Sequence, residues 1–98
     1  MFFQIGLKEL QAAVEANPER LTVTGDTKRS KQYAQGEEVR VQVDAGIPYI
    51  FEVERGASGK KFCVYEATLG SDDFNDVQCW LHQYEVPYHV FYSKTVVS

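Results

Sequence analysis

Residues 37–69 read EEVRVQVDAGIPYIFEVERGASGKKFCVYEATL, and this stretch decides the fold. Apolar and polar residues alternate along Glu37–Asp44, which predicts a strand with one buried face. The same alternation continues through Ile47–Glu54 and Lys61–Leu69. Ala45-Gly46 supplies a turn between the first two strands, and a short glycine-containing loop separates the second strand from the third. Connections this short predict an antiparallel three-stranded meander.

The residues that follow the meander predict an amphipathic helix. Ser71 can cap this helix, and Asp72 and Asp73 lie in its first turn, where carboxylates favour the positive end of the helix dipole. Val86-Pro87 ends the helix, because the residue before a proline disfavours the helical region. We expect one apolar stripe of the helix to cover the meander. The stripe consists of Phe74, Val77, Trp80, Leu81 and Tyr84.

The remaining segments extend this arrangement on both sides. Leu7–Ala16 has the apolar spacing of a short helix, whereas Arg20–Thr24 and Tyr88–Val97 have the composition of strands. Thr27–Gly36 is polar and basic and is predicted to be a loop. The order is therefore α-β-β-β-β-α-β. It predicts a single α+β domain over residues 1–98, in which a small antiparallel sheet carries both helices on one face.

Composition and charge narrow the class of protein. Hydrophobic residues make up 44% of the chain, as in globular proteins, and the net charge is −4. Nucleic acid requires a basic surface, so we expect no direct binding to it. No stretch is long and apolar enough to span a membrane, and the first residues do not form a secretory signal. Because Cys63 and Cys79 do not make a disulfide framework, we expect an intracellular protein of the cytoplasm.

The residues that could carry chemistry have simpler explanations. The acidic cluster consists of Asp72, Asp73 and Asp76, and the helix dipole accounts for Asp72 and Asp73 without any chemistry. Structural zinc sites need four ligands at tighter spacing than the chain offers. The available set is Cys79, His82 and His89. Negative neighbours oppose formation of a thiolate, and the chain has no glycine-rich phosphate loop, nucleophile elbow or His-Glu-x-x-His motif. The sequence therefore predicts no catalysis, no metal and no cofactor.

Two short segments resemble the cystatins, which inhibit papain-like cysteine proteases. Gln42-Val43-Asp44-Ala45-Gly46 resembles the Q-x-V-x-G hairpin of that family, with Asp44 where the family has valine. Val86-Pro87-Tyr88 is similar to the second cystatin loop, which contains Pro-Trp. The resemblance implies that both loops would form one wedge that enters a protease cleft.

The interpretation that the sequence favours is a small, non-catalytic protein-binding module. Aromatic residues reach 13%, and residues 66–85 contain five carboxylates and no lysine or arginine. An inhibitor or accessory protein with such a face would mask a basic surface of another protein, such as a nucleic-acid-binding complex. Phage anti-defence proteins, including anti-CRISPRs, and bacterial immunity proteins are analogues at the level of class. The oligomeric state stays open. Candidate partner-binding residues are Glu52, Glu54, Glu66, Asp72, Asp73, Asp76, Glu85 and Tyr88.

Overall fold

Six strands and two helices make up the part of the chain that the computed structural model describes, residues 1–24 and 37–93. The predicted loop at Thr27–Gly36 and the predicted strand residues beyond Ser93 lie outside these residues. No helix in the described ranges has the length and apolar composition needed to cross a membrane. The elements in chain order are β1 Phe2–Gly6, α1 Leu7–Ala16, β2 Leu21–Thr24, β3 Glu37–Val43, β4 Tyr49–Arg55, β5 Lys61–Glu66, α2 Asp72–Gln83 and β6 His89–Phe91.

The strands form one antiparallel sheet in the order β2-β3-β4-β5-β1-β6. The meander β3-β4-β5 lies at its centre, as the alternation predicts. Because every neighbouring pair is antiparallel, β3, β5 and β6 end at one edge of the sheet, and β1, β2 and β4 begin there. The loop that leads into α2 and the turn between β3 and β4 therefore lie at the same edge.

The core lies between one face of the sheet and both helices, which confirms the predicted α+β architecture. Directly paired residues share a face, so the pairs Val39–Phe51 and Phe3–Tyr65 point toward the helices. The predicted stripe of α2 is buried against them. The Trp80 ring centroid lies 6.1 Å from that of Phe51 in an edge-on arrangement, which aromatic pairs favour.

One strand was not predicted. β1 begins at Phe2, and the side chains of Phe3 and Ile5 are fully buried, with 0% exposed. This strand inserts between β5 and β6 and pairs with both. The sequence does alternate here, but five residues give a weak local signal, and the pairing that holds them is with strands far along the chain.

The ends of several predicted strands are corrected. Asp44 and Ala45 form the turn after β3, with φ values of 50° and 60°, so the turn lies one residue before Ala45-Gly46. β4 then begins at Tyr49, because Pro48 has no N–H to donate to the ladder. β5 ends at Glu66 rather than Leu69. Ile47 was predicted at the start of β4 and Leu69 at the end of β5, and both lie in loops in the structure.

Candidate functional site

The predicted partner-binding carboxylates are divided between the two sides of the sheet. Glu52 and Glu54 alternate with the buried Phe51 on β4, so they lie on the face opposite the helices. Asp72, Asp73 and Asp76 lie on α2, on the other side, and all three are exposed.

Two other predicted partner-binding residues, Glu85 and Tyr88, lie away from the first turn of α2. Glu85 follows the C-terminal end of α2, and the helix extends ten residues beyond Asp73, which corresponds to about 15 Å. Tyr88 lies near that same end. Its hydroxyl is 3.0 Å from the Gln78 side-chain nitrogen and 2.9 Å from His82 Nε2. The acidic residues therefore do not form one continuous face, and only those at the start of α2 cluster.

Glu66 joins the cluster at the start of α2 from the end of β5. Glu66 and Asp73 line the same shallow cavity, together with Met1 and the Ser71 loop. Ser71 fixes the helix start as predicted, because its Oγ accepts a hydrogen bond of 3.1 Å from the Phe74 N–H. We refer to the surface formed by the start of α2, the β3–β4 turn, the β5–α2 loop and the residues just after β6 as the acidic end.

A pocket of about 600 Å³ opens at the acidic end between α2 and the β3–β4 turn. The sheet side of the pocket carries Tyr49 and Tyr65, and the helix side carries Asp73, Asp76 and Trp80. The turn contributes Ile47 and its neighbours on the third side. Aromatic rings thus form the walls, and carboxylates lie among them.

Hydrogen bonding and charge couple these walls. The Tyr65 hydroxyl lies 2.9 Å from each carboxylate oxygen of Asp73 and donates its hydrogen bond to that group. Burial and this carboxylate raise the pKa of Tyr65. Burial raises the pKa of Tyr49 as well, and the charges of Asp76 and Asp73 raise it further. Both carboxylates therefore act electrostatically on the pocket.

The rings form a connected aromatic group. The Tyr49 ring centroid lies 5.8 Å from that of Tyr65, in an edge-on arrangement, and 5.9 Å from that of Trp80. Both tyrosines are half-buried, so each ring serves the core and the pocket. The sequence predicted Trp80 as a core residue, but its pattern carried no signal of the pocket that Trp80 lines together with Tyr49.

Among the described residues, no basic side chain forms an ion pair with the carboxylates of the pocket. Ion pairs within residues 1–24 and 37–93 include those of Arg20 with Asp44, Arg40 with Glu38 and Lys60 with Glu9. None of these pairs involves Asp73 or Asp76. The described part of the chain therefore leaves the negative charge of the pocket without an ionic partner of its own.

The opposite edge of the sheet carries positive charge. Lys8, Lys60 and Lys61 line a cavity of about 690 Å³ between the start of α1 and the β4–β5 loop. Lys60 Nζ lies 3.2 Å from Glu9 Oε1 there, and the pKa of Glu9 is lowered by a hydrogen bond from its own backbone N–H and by Lys60. Three lysines and one glutamate therefore line the cavity at this edge, whereas carboxylates are the charged residues that line the cavities at the acidic end.

The described side chains do not assemble a reactive group. Burial raises the pKa of Cys63 to about 12, which keeps it a thiol. Cys79 is exposed, because it lies beside the buried stripe of α2 rather than in it. Within the described ranges, no three His, Cys, Asp or Glu side chains are grouped closely enough to hold a metal ion.

The two cystatin-like segments do not meet. Gln42–Gly46 lies at the acidic end, where the Gln42 side-chain nitrogen donates a 2.7 Å hydrogen bond to the Gly46 carbonyl. Val86–Tyr88 precedes β6, at the opposite edge. Three strands also separate β3 from β6 in the sheet. The structure therefore does not form the two-loop wedge that the resemblance implies.

Comparison of the chain with protein-family models, with curated proteins and with solved structures finds no match in any of the three.

Proposed function

We propose that the protein is a non-catalytic binding module that docks its acidic end on a basic surface of another protein. One observation carries the proposal. The three large hydrophobic side chains with the highest exposure in the described residues all lie at this end. They are Ile47 with 88% exposed, Leu69 with 62% and Tyr92 with 88%.

These three side chains come from separate parts of the chain. Ile47 follows the β3–β4 turn, Leu69 lies in the β5–α2 loop, and Tyr92 follows β6. The antiparallel sheet brings them to one edge. Single exposed hydrophobic residues are common, but exposed apolar side chains gathered at one end of a domain are typical of interaction surfaces. Apolar anchors with charged groups nearby match the anatomy of a protein–protein interface.

The distribution of charged residues also favours docking through the acidic end. The acidic end carries Asp72, Asp73, Asp76 and Glu66, whereas Lys8, Lys60 and Lys61 line the cavity at the opposite edge. A domain with this polarity would approach a basic surface with its acidic end forward, which raises the association rate. The protein would inhibit its partner by covering that basic surface, without any chemical step. This mode is the one we expect of an anti-defence or immunity-type inhibitor.

The expected site of action is the cytoplasm. Cys79 is an exposed thiol, and Cys63 is also unpaired. Unpaired thiols persist in a reducing compartment, where a basic nucleic-acid-binding complex would be available as a partner. The cystatin-like alternative receives no support, because the two segments that it requires lie at opposite edges of the sheet.

The test compares two double variants with equal loss of charge. Asp73→Asn with Asp76→Asn removes two charges from the acidic end, whereas Glu52→Gln with Glu54→Gln removes two from the far face of the sheet. A tagged protein captures its partner from cells of its source. Association rates are then measured between roughly 0.01 M and 1 M salt, over which the Debye length falls from about 30 Å to about 3 Å.

We expect the acidic-end variant to associate about tenfold more slowly at low salt, since electrostatic steering typically contributes a factor of 10 or more. The far-face variant should stay within about twofold of wild type, because its charges lie on the side of the sheet that faces away from the partner. Ile47→Ser should instead raise the dissociation rate, as loss of an apolar anchor does. Equal behaviour of the two charge variants at every salt concentration would refute the proposal.

A further inference from the structure

We infer that the pocket between α2 and the β3–β4 turn receives an arginine side chain of the partner. The inference rests on the proposed function and names the group that the acidic end recognises. A planar cation suits the pocket, because aromatic side chains and carboxylates line it together.

The carboxylates are arranged to receive hydrogen bonds from one group. Asp73 and Asp76 are three residues apart on α2, so their side chains are neighbours on the same helix face. Tyr65 donates one hydrogen bond to the Asp73 carboxylate and orients it. A carboxylate can accept about four hydrogen bonds, so Asp73 retains most of its capacity. A guanidinium has five N–H donors in a fixed fork, which matches two adjacent carboxylates.

The rings supply the second kind of contact. A cation within about 6 Å of an aromatic ring centroid is attracted by the ring face, and arginine makes this contact more often than lysine does. Tyr49 and Tyr65 lie on the sheet side of the pocket, and Trp80 lies on the helix side. The planar guanidinium of arginine can stack on a ring while its edge donates hydrogen bonds to a carboxylate. The ammonium of lysine is compact and not planar, so it cannot make both contacts in this way.

Trp80 provides a reporter for the pocket. The residue is 4% exposed and borders the pocket, and its indole N–H has no hydrogen-bond acceptor among the described residues. A group that enters the pocket therefore changes the surroundings of the indole ring.

The experiment needs no knowledge of the partner. Trp80 is the single tryptophan, so its indole N–H gives one resonance in a nitrogen–proton correlation spectrum of the whole protein. The protein is titrated with N-acetyl-arginine amide, N-acetyl-lysine amide and N-acetyl-citrulline amide. Citrulline has the shape of arginine without its charge. Exposed Cys79 also lines the pocket, so protection of its thiol from alkylation is a second readout.

We expect the arginine probe to shift the Trp80 resonance saturably and to slow alkylation of Cys79. The citrulline probe should bind at least about tenfold more weakly, because a charge-assisted hydrogen bond is roughly twice as strong as a neutral one. Asp73→Asn with Asp76→Asn should abolish the arginine response, and Glu52→Gln with Glu54→Gln should preserve it. Circular dichroism of each variant verifies that it is folded.

Citrulline or lysine probes that bind as tightly as arginine would overturn the inference, and so would an arginine response that persists in the Asp73 and Asp76 variant. The result separates the two proposals. If the arginine probe fails while association with the partner still depends on Asp73 and Asp76, the acidic end docks without an arginine in the pocket. If both fail, the proposed function fails as well.

Discussion

Replacement of Trp80 by alanine tests whether the indole joins α2 to the sheet. Trp80 is 4% exposed, and its ring centroid lies 5.9 Å from that of Tyr49 and 6.1 Å from that of Phe51. Tryptophan-to-alanine changes in cores cost about 3–5 kcal/mol. Because the pocket borders the indole, water can enter part of the vacated volume, and we expect a value near the lower limit, about 3 kcal/mol. Total stability of small domains is about 5–15 kcal/mol, so the loss is large.

The assay is urea unfolding followed by circular dichroism, since the variant lacks the only tryptophan. With a slope of about 1–1.5 kcal/mol/M, the midpoint should fall by about 2–3 M, and the melting temperature by roughly 12–24 °C. Leu69→Ala is the matched control, because that side chain is exposed and its loss should change stability by about 0.5 kcal/mol or less. An unchanged midpoint for Trp80→Ala would mean that the indole is a surface anchor and that α2 is held by other contacts.

Three further changes test local features. Ala45 has a φ of 60°, which glycine adopts without strain, so Ala45→Gly should stabilise the protein by about 0.5–1 kcal/mol in urea unfolding; a lower midpoint would contradict the left-handed turn. Ser71→Ala removes the acceptor of the Phe74 N–H and should lower the free energy of unfolding by about 1 kcal/mol, whereas Ser71→Asp keeps a capping oxygen and should preserve most of that stability. An equal loss of stability in both variants would exclude capping by Ser71. Burial and Asp73 raise the pKa of Tyr65 above 10.0, so its contribution to stability is full below pH 10 and is lost as the pH rises further. Tyr65→Phe should therefore flatten the alkaline fall of the urea midpoint, and identical pH profiles would refute the assignment.

The sequence predicted those helices and strands in which apolar residues recur at a regular spacing. The spacing of Phe74, Val77 and Trp80 identifies the buried side of α2, and the alternation of the valines in β3 identifies the buried face of that strand. Such patterns are readable because the period of an element decides which side chains share a face. The bounds of α1 were also predicted, since Asn17-Pro18 marks its end in the chain itself.

The sequence did not reveal β1, because the reason for that strand is not local. Phe2–Gly6 is held by pairing with β5, about sixty residues away, and with β6 farther still. Its five residues would not form a strand alone, since isolated strands bury too little surface to offset their entropy. Burial of Phe3 and Ile5 follows from the central position of β1 in the sheet.

The acidic charge of the chain was evident from composition, but only the tertiary structure decided which carboxylates act together. Residues 66–85 looked like one acidic segment, yet a helix separates Glu85 from Asp73. Conversely, Tyr49 and Asp76 are distant in sequence and meet in one pocket. Ile47 and Leu69 are also distant in sequence, and the sheet places both of these exposed side chains at the same edge. Strand direction, register and order decide these placements, and they are fixed by pairing between distant segments around a shared core, which no local pattern encodes.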